Sequence, residues 1–355
     1  MIDKIISELK RKRINGFLIN NLVNIKYLTG FTGSSAYMLL TLKNLYLFTD
    51  FRYEIQAKEE VNSNVNIVIF NNFFKEFEKV LKSENIKKLG FEASSLTYDF
   101  FDNLKKKISN IELLPVNNLI EKFRRKKNND EISLIKKSIK ITERSLKNCA
   151  FYLFLKNINI TEIEFKLKIE YEMLKNGAEE VSFPIIVLSG KNTSLVHGKP
   201  SNINLNKTHF LIDLGCKYSG YCSDKTVSFV KKNCELERVF TIVKDAKNFA
   251  IDGLKAGVKA KDIDRIAREY INKKGYGKFF GHSLGHGVGL EVHELPVIGP
   301  KSKDIIEDGD VFTIEPGIYI PEIGGIRLED MVYIKKGYAE LLTEPAEDFV
   351  KCLQD

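Results

Sequence analysis

Five side chains with metal-binding chemistry lie in the C-terminal half of the chain, and a shared metal centre would require several separate segments to meet there. They are Asp213 in LIDLG, Asp224 in CSDKT, His286 in GHSLGHG, Glu315 in FTIEPG and Glu329 in GGIRLED. Divalent ions such as Mn²⁺, Co²⁺ and Zn²⁺ accept mixed oxygen and imidazole ligands. Two such ions about 3.5–4 Å apart can bridge one hydroxide and grip a carbonyl oxygen. The pattern therefore predicts hydrolysis of an amide or ester.

The first two of these carboxylates lie in a predicted β-hairpin. The segment LIDLGCKYSGYCSDKTVSFV consists of two alternating strands about a Tyr-Ser-Gly turn. A turn centred on Tyr218 and Ser219 would place Asp213 opposite Asp224, with Cβ atoms about 4.5–5.5 Å apart. A register shift of two residues would leave them as diagonal neighbours. Two carboxylates this close repel each other unless cations lie between them.

A second predicted hairpin carries the two glutamates. The segments FTIEPGIYI and GGIRLEDMVYI would pair through a Gly-Gly turn, which makes Glu315 and Glu329 project together. Strand side chains alternate between faces, so Arg327 shares the face of Glu329, and Asp330 points away as a structural acid. Pro316 cannot donate a ladder hydrogen bond and indicates a strand end or bulge.

Two histidines occupy a glycine-rich segment. His282 and His286 stand four residues apart, a spacing that would stack them on one face of a helix. Glycines 281, 285, 287 and 289 argue against a helix. We expect a loop that leads into a strand, with its backbone close to the site.

The first 123 residues alternate between strand and helix patterns and predict an α/β domain. The strand patterns are FLINN, AYMLLTL, NLYLFTD, NIVIF and KKLGFE. Helical spacing occurs around Phe51–Glu60, Phe73–Ser83 and Leu96–Ile108.

Residues 124–355 have a different pattern. A long amphipathic helix is predicted there with apolar positions Ile132, Ile135, Ile139 and Leu146. A second helix begins at a Thr161 cap and ends at Gly177, and a third runs from residue 237 to Gly257. The remaining segments are β-rich and glycine-rich and hold every candidate site residue. This pattern predicts helices packed outside a sheet that carries the chemistry.

Charge and cysteine content narrow the class of protein. The net charge of +8 comes from basic residues interleaved with acidic ones, and the densest basic run, Lys122–Lys127, is interpreted as a solvated connector rather than a nucleic-acid site. The odd number of cysteines and the absence of a CxxC pair favour a reduced, cytoplasmic protein. These cysteines are Cys149, Cys216, Cys222, Cys234 and Cys352. The N-terminus does not match a signal peptide, and no apolar run is long enough to span a membrane.

The motifs together resemble a known family. SFPIIVLSGKNTSLVHG, DLGCKYSGYCSDKT, GHSLGHGVGLEVHE, IEPG and RLED are similar, in order and spacing, to the motifs of the pita-bread metallopeptidases, which include methionine aminopeptidase, aminopeptidase P and prolidase. NIKYLTGFTGSSAYMLL and LFTDFRYEIQA resemble the creatinase-type N-terminal domain of the last two, which methionine aminopeptidases lack. The resemblance implies an α/β creatinase-like domain over residues 1–123, an α+β pita-bread catalytic domain over residues 124–355, and a homodimer.

The resemblance also implies roles for individual residues. The family's metal ligands fall on Asp213, Asp224, His286, Glu315 and Glu329. They would bind two divalent ions, with Mn²⁺ expected and Co²⁺ or Zn²⁺ as alternatives, around a bridging hydroxide. Glu315 would also act as general base, His293 would stabilise the oxyanion, and His197 would assist the leaving proline nitrogen. His282 and Arg327 would contact substrate. His209 matches no family position and is interpreted as structural.

Two departures from the family pattern bear on specificity. Val227 replaces an arginine that many relatives carry, which affects a peripheral contact. Val297 stands where some prolidases place an arginine that pairs with the carboxylate of a dipeptide. The prediction is therefore an Xaa-Pro aminopeptidase acting on peptides with proline at the second position. The alternatives are an Xaa-Pro dipeptidase (prolidase) and a non-catalytic peptide-binding module, the latter disfavoured by the intact ligand set.

Overall fold

The computed structural model describes residues 1–155, 159–205, 208–232 and 236–351, and the chain divides into two compact units, Met1–Arg124 and Arg125–Asp355. Cys149, Cys216 and Cys222 are buried free thiols, while Cys234 and Cys352 lie outside the described residues. Among the described residues, no helix combines the length and apolarity needed to cross a membrane.

The first unit is a six-stranded mixed sheet with helices on both faces. Its strands are β1 Gly16–Ile19, β2 Tyr37–Thr41, β3 Leu45–Thr49, β4 Val65–Ile69, β5 Lys88–Glu92 and β6 Glu112–Val116, in the order β4-β3-β2-β1-β5-β6. Its helices are α1 Ile2–Arg11, α2 Leu22–Thr29, α3 Glu54–Glu60, α4 Phe73–Ser83, α5 Tyr98–Lys107 and α6 Glu121–Arg124. All five predicted strands and all three predicted helical segments of this unit are confirmed.

Alternation along the strands divides the core of this unit into two layers. Phe17 of β1 packs in one buried cluster with Ile5 of α1, whereas the adjacent Leu18 packs in the other with Phe77 of α4. Side chains at successive strand positions point to opposite faces, so a short apolar strand can supply both layers.

The second unit places helices outside several small antiparallel sheets. Its helices are α7 Asn129–Leu155, α8 Glu162–Lys175, α9 Glu237–Asp252, α10 Ala260–Lys273 and α11 Asp348–Lys351. Its strands are β7 Glu180–Val181, β8 Ile186–Ser189, β9 His209–Leu214, β10 Cys216–Tyr218, β11 Tyr221–Cys222, β12 Lys225–Val230, β13 Gly285–Gly287, β14 Glu294–Ile298, β15 Val311–Ile314, β16 Gly317–Ile320, β17 Gly324–Arg327, β18 Asp330–Lys335 and β19 Tyr338–Leu341. Two sheets carry most of the site: β12-β9-β8 and β14-β13-β15-β18-β19.

The predicted helices of this unit are confirmed except for one end. The four apolar positions predicted for α7 are buried, and Thr161 caps α8 through a capping box with Glu164. The expected end of α9 at Gly257 is wrong, because the helix stops at Asp252. Beyond it, the backbone N–H groups of Ala256 and Gly257 donate to carbonyls outside the helix, on Gly337 and Ile306.

The first predicted hairpin exists, but its register differs from the expected one by two residues. Asp213 pairs with Thr226, not with Asp224, which becomes its diagonal neighbour. The turn lies at Ser219 and Gly220, with φ of 49° and 81°. Two-residue hairpins favour turns with positive φ at both central residues, and glycine adopts this conformation without strain.

The second hairpin closes through a different turn from the one predicted. Gly324 and Gly325 are strand residues of β17 that pair with Ile320 and Tyr319, and the turn lies at residues 321–323. Proline at position 321 lacks the N–H needed for a ladder hydrogen bond, so the turn forms there. Pro316 separates β15 from β16, as expected for a strand boundary.

The basic run Lys122–Lys127 is solvated only in part, because Lys122 and Lys126 are exposed whereas Arg124 and Lys127 are buried. In the first unit, the buried Arg124 donates from Nη1 to Asn24 Oδ1 at 2.8 Å. In the second unit, Arg125 Nε donates to Asp310 Oδ1 at 2.7 Å, and Lys127 Nζ to Glu294 Oε2 at 3.0 Å. Their partners lie far along the sequence, so no local pattern could indicate these contacts.

Candidate metal centre and active site

A cavity of about 690 Å³ in the second unit brings together all the predicted site residues. Its walls include the five candidate ligands together with His197, His282, His293 and Arg327. The segment of residues 183–186, with Val196 and Val292, adds apolar surface. Such a mixture is typical of ligand-binding cavities, because apolar walls hold the ligand while a few polar groups fix its orientation.

The two predicted hairpins place the carboxylates in this cavity. Asp213 lies in β9, and Asp224 directly precedes β12. In the second hairpin, Glu315 lies between β15 and β16, and Glu329 lies between β17 and β18 on the opposite side of the hairpin. Asp224, Glu329 and His286 each offer one ligand atom, and these atoms lie within 4.8 Å of one another. Such a group can hold a divalent ion.

His286 reaches the carboxylates because β13 runs very close to β15. A Cβ atom on Gly285 would lie only 1.9 Å from the carbonyl oxygen of Thr313, so only glycine permits this approach. His286 Nε2 lies 3.3 Å from Glu315 Oε1 and 3.7 Å from Asp224 Oδ2. Its Nδ1 lies 3.1 Å from the carbonyl oxygen of Gly287, a contact that needs the proton on Nδ1. This tautomer leaves Nε2 able to bind a metal.

Burial and mutual repulsion raise the pKa values of three carboxylates. Burial is the largest cause for Asp224, whose pKa lies well above its ordinary value, and Glu329, Asp213 and Glu315 add to it. Burial likewise raises the pKa of Glu329 and of Asp213, with Glu315 adding to both. These carboxylates are therefore difficult to ionise together without added positive charge.

Glu315 and His286 form the charged pair of the cluster. Burial favours neutral Glu315, but its hydrogen bond to His286 and the charge of that imidazole outweigh this effect and lower its pKa. Burial also opposes the charged form of His286, yet the hydrogen bond to Glu315 and the nearby carboxylates raise its pKa to about 9.

Two buried carboxylate oxygens have no hydrogen-bond partner within the described part of the chain. They are Asp213 Oδ1 and Glu329 Oε1. An oxygen left without a donor in a buried position destabilises the fold, and ionised carboxylates need a counter-charge there. Divalent ions would satisfy both requirements, so the residues present fit a metal centre.

Arg327 connects the metal-binding region to the cavity wall. Its Nη2 lies 2.5 Å from Asp213 Oδ2, its Nη1 donates to Tyr319 Oη at 2.9 Å, and its Nε donates to Thr226 Oγ1 at 3.0 Å. Tyr319 Oη in turn lies 3.1 Å from His282 Nε2. Arg327 as a whole residue is 3% exposed. These contacts fix the guanidinium beside Asp213, and the substrate contact expected for Arg327 from the sequence stays a prediction.

The remaining histidines separate into cavity residues and a structural one. The ring centroid of His293 lies 4.2 Å from that of His286, and burial with the charge of His286 lowers the pKa of His293. His197 also lines the cavity. His209 Nε2 lies 3.1 Å from both Thr193 Oγ1 and the Gly325 carbonyl, away from the cavity lining. The structural interpretation of His209 is confirmed.

Sequence reasoning missed three residues that support the site. Thr226 Oγ1 donates to Glu329 Oε2 at 2.9 Å, Thr313 Oγ1 lies 3.3 Å from Glu315 Oε1, and Tyr319 bridges Arg327 and His282. The two threonines stand two positions from a candidate ligand in sequence. Because strand side chains repeat with a period of two, this spacing could have indicated both.

The fold and the carboxylate-imidazole cluster are those of a pita-bread metallopeptidase. The family model described as "Metallopeptidase family M24" matches residues 133–336, which is more than half of the chain. The family model described as "Creatinase/Prolidase N-terminal domain" matches residues 1–126. The chain belongs to metallopeptidase family M24. The resemblance stated from the motifs and the predicted fold class are both confirmed.

Relatives of known name share this architecture over their full length. The Xaa-Pro dipeptidase of Pyrococcus horikoshii is 37% identical, over 98% of each chain. A solved structure of an Xaa-Pro dipeptidase from Bacillus anthracis is 36% identical with a TM-score of 0.90, covering 97% of this chain and 96% of that one. An X-Pro aminopeptidase structure from Thermotoga maritima is 37% identical with a TM-score of 0.84, covering 93% and 96%.

Proposed function

We propose that this metallopeptidase is an Xaa-Pro dipeptidase, which hydrolyses the bond between an N-terminal residue and a C-terminal proline. The observation that carries the proposal is the convergence of Asp224, His286 and Glu329 in a cavity that also holds two carboxylate oxygens without partners. Full-length relatives named Xaa-Pro dipeptidase support the substrate class. They favour this reading over the aminopeptidase expected from the sequence.

The five candidate ligands would hold two divalent ions, with Mn²⁺ expected and Co²⁺ or Zn²⁺ as alternatives. They are Asp213, Asp224, His286, Glu315 and Glu329. When bound, such ions would polarise the scissile carbonyl and allow water to act as a nucleophile near neutral pH. Homodimer formation and cytoplasmic location stay predictions.

The side chains around the ligands supply the rest of the mechanism. Glu315 would accept the proton of the attacking water, because its carboxylate lines the cavity beside the candidate ligand His286, at 3.3 Å from Nε2, and bound cations would keep it ionised. His293 has a lowered pKa and is neutral near pH 7, so one ring N–H can donate to the developing oxyanion. His197 would deliver a proton to the leaving proline nitrogen. A pocket that fits the pyrrolidine ring is needed to align the scissile bond, because proline fixes the geometry of its own amide.

An Xaa-Pro aminopeptidase is the second candidate. Val297 favours it, because this exposed side chain cannot pair with a dipeptide carboxylate, and the relative from Thermotoga maritima is named as an X-Pro aminopeptidase. The two candidates differ in whether a residue after the proline improves or prevents cleavage.

A substrate panel separates the two candidates. Purified protein incubated with Mn²⁺, Co²⁺ or Zn²⁺ should hydrolyse Ala-Pro and leave Ala-Ala intact, and a chelator should abolish the activity. The measurement is free alanine released from Ala-Pro and from Ala-Pro-Ala at equal concentrations. Faster release of alanine from the tripeptide would contradict the dipeptidase proposal and support the aminopeptidase. No release from either peptide with any of the three metals would contradict both.

The two cavity histidines should act on the chemistry without binding metal. His293→Ala or His197→Ala should lower kcat by about 10²–10³, the effect of losing one oxyanion donor or one general acid. Bound metal, measured by elemental analysis after dialysis, should be unchanged. His286→Ala provides the contrast, because it should lose metal. Demetallation of His293→Ala would place His293 among the ligands.

A further inference from the structure

A dipeptide substrate presents a carboxylate that the cavity must accommodate. In Xaa-Pro the carboxylate carbon lies two bonds from the proline nitrogen, so its binding group belongs near the residue that serves this leaving nitrogen. An anion entering a partly buried site needs a cationic partner, since a desolvated charge without one is strongly disfavoured. A charge-assisted hydrogen bond meets this need.

The cavity wall around Val297 does not offer such a cation. The Val297 backbone N–H donates to Asp304 Oδ2 at 2.9 Å, which places an acid beside this position. Arg125 lies 3.7 Å from Asp304, but its guanidinium is bound to both carboxylate oxygens of Asp310. The carboxylate of the substrate would therefore meet an acid, Asp304, and an arginine already neutralised by Asp310 at this position.

Two basic side chains of the lysine or arginine type line the cavity within the described part of the chain, Arg327 and Lys199. Arg327 is almost fully buried and its three nitrogens already bind Asp213, Tyr319 and Thr226. Lys199 is exposed to the cavity and the solvent, with no ion pair described for its ammonium. It stands two residues after His197, the residue proposed to serve the leaving nitrogen, and both side chains line the cavity.

We infer that Lys199 binds the C-terminal carboxylate of the substrate and so gives this chain its preference for dipeptides. The inference rests on the proposed dipeptidase function. The lysine stem is long and flexible, and its ammonium offers three donors to an anion. Glu294, an acid of the cavity wall that could compete for this ammonium, is already paired with the buried Lys127.

The kinetic test compares substrates that differ only in the carboxylate. Lys199→Met should lower kcat/KM for Ala-Pro by about 10- to 100-fold, the range expected for one charge-assisted hydrogen bond. Hydrolysis of Ala-Pro-amide should change by less than about 2-fold, and Lys199→Arg should retain most of the Ala-Pro activity. Lys261→Met removes the same charge from an exposed position outside the cavity lining and should match the wild type. An equal loss on both substrates, or no loss on either, would overturn the inference.

A binding measurement keeps this inference separate from the proposed function. Calorimetry should show that L-proline binds the wild type and Lys199→Arg more tightly than prolinamide does, and that Lys199→Met loses this difference. Failure of the wild type to cleave Ala-Pro would contradict the dipeptidase proposal alone. A preference for proline over prolinamide that survives in Lys199→Met, or is absent from the wild type, would refute the role of Lys199.

Discussion

Replacing Asp224 with asparagine or Glu329 with glutamine should reduce peptide hydrolysis to the background of the assay. Each substitution preserves the side-chain volume but removes an anionic oxygen ligand, and both residues belong to the group whose ligand atoms lie within 4.8 Å. A neutral amide oxygen is a much weaker ligand for a hard divalent ion. Metal content, measured by elemental analysis after dialysis, should fall together with the rate.

The same substitutions should not destabilise the metal-free protein. Burial and neighbouring carboxylates raise the pKa of Asp224 and of Glu329, so a neutral isostere removes a repulsive charge. Thermal unfolding in excess chelator should therefore give a Tm equal to or above that of the wild type. Glu322→Gln is the matched control, because its side chain is 82% exposed on the turn between β16 and β17. Wild-type rates and metal content in either ligand variant would require a different metal site.

The sequence could indicate which residues share the site because the fold builds it from hairpins. Alternation along strands correctly grouped Glu315 with Glu329 and turned Asp330 away from them. The register of the first hairpin could not be obtained in the same way. The observed turn at Ser219 and Gly220 requires a positive φ at Ser219, a conformation that is uncommon for serine. Strand alternation is the same for this turn and for a turn at Tyr218 and Ser219, so it could not decide between them.

Long-range ion pairs were the second failure of sequence reasoning. Arg125 and its partner Asp310 are separated by 185 residues. A run of basic residues ordinarily indicates a solvated segment. Whether such a residue is buried depends on which acids the fold brings to it, and spacing along the chain carries no record of this.

The prediction of an aminopeptidase rested on a single position, Val297, and one position is weak support for a substrate preference. Val297 shows that one route to carboxylate binding is closed, but a cavity with several walls can place a cation elsewhere. Lys199 lies on another segment that lines the same cavity. If Lys199 binds the carboxylate as we propose, the two positions are alternatives for one task, and only the arrangement of these segments in space could indicate this.

The buried acid behind the metal ligands should have the largest effect on stability. Asp330 Oδ1 lies 2.7 Å from Lys225 Nζ, and Lys247 contacts the other carboxylate oxygen, with all three side chains at most 1% exposed. Asp330→Asn keeps the volume but leaves two buried ammonium groups without their shared counter-ion. Removing one partner of a buried ion pair costs about 3–5 kcal/mol, so the free energy of unfolding should fall by that amount.

Urea unfolding in excess chelator measures this effect without a contribution from bound metal. Lys225→Met should lower the free energy of unfolding by less than Asp330→Asn, because Asp330 then keeps Lys247 as its partner and Lys247 also contacts Glu347. Asp262→Asn serves as the surface control. Its partner Arg265 has a side chain that is 64% exposed, and such pairs contribute at most about 1 kcal/mol. If Asp330→Asn proved no more destabilising than Lys225→Met, Asp330 would not be the shared counter-ion of the two lysines, and its position next to Glu329 would need another explanation.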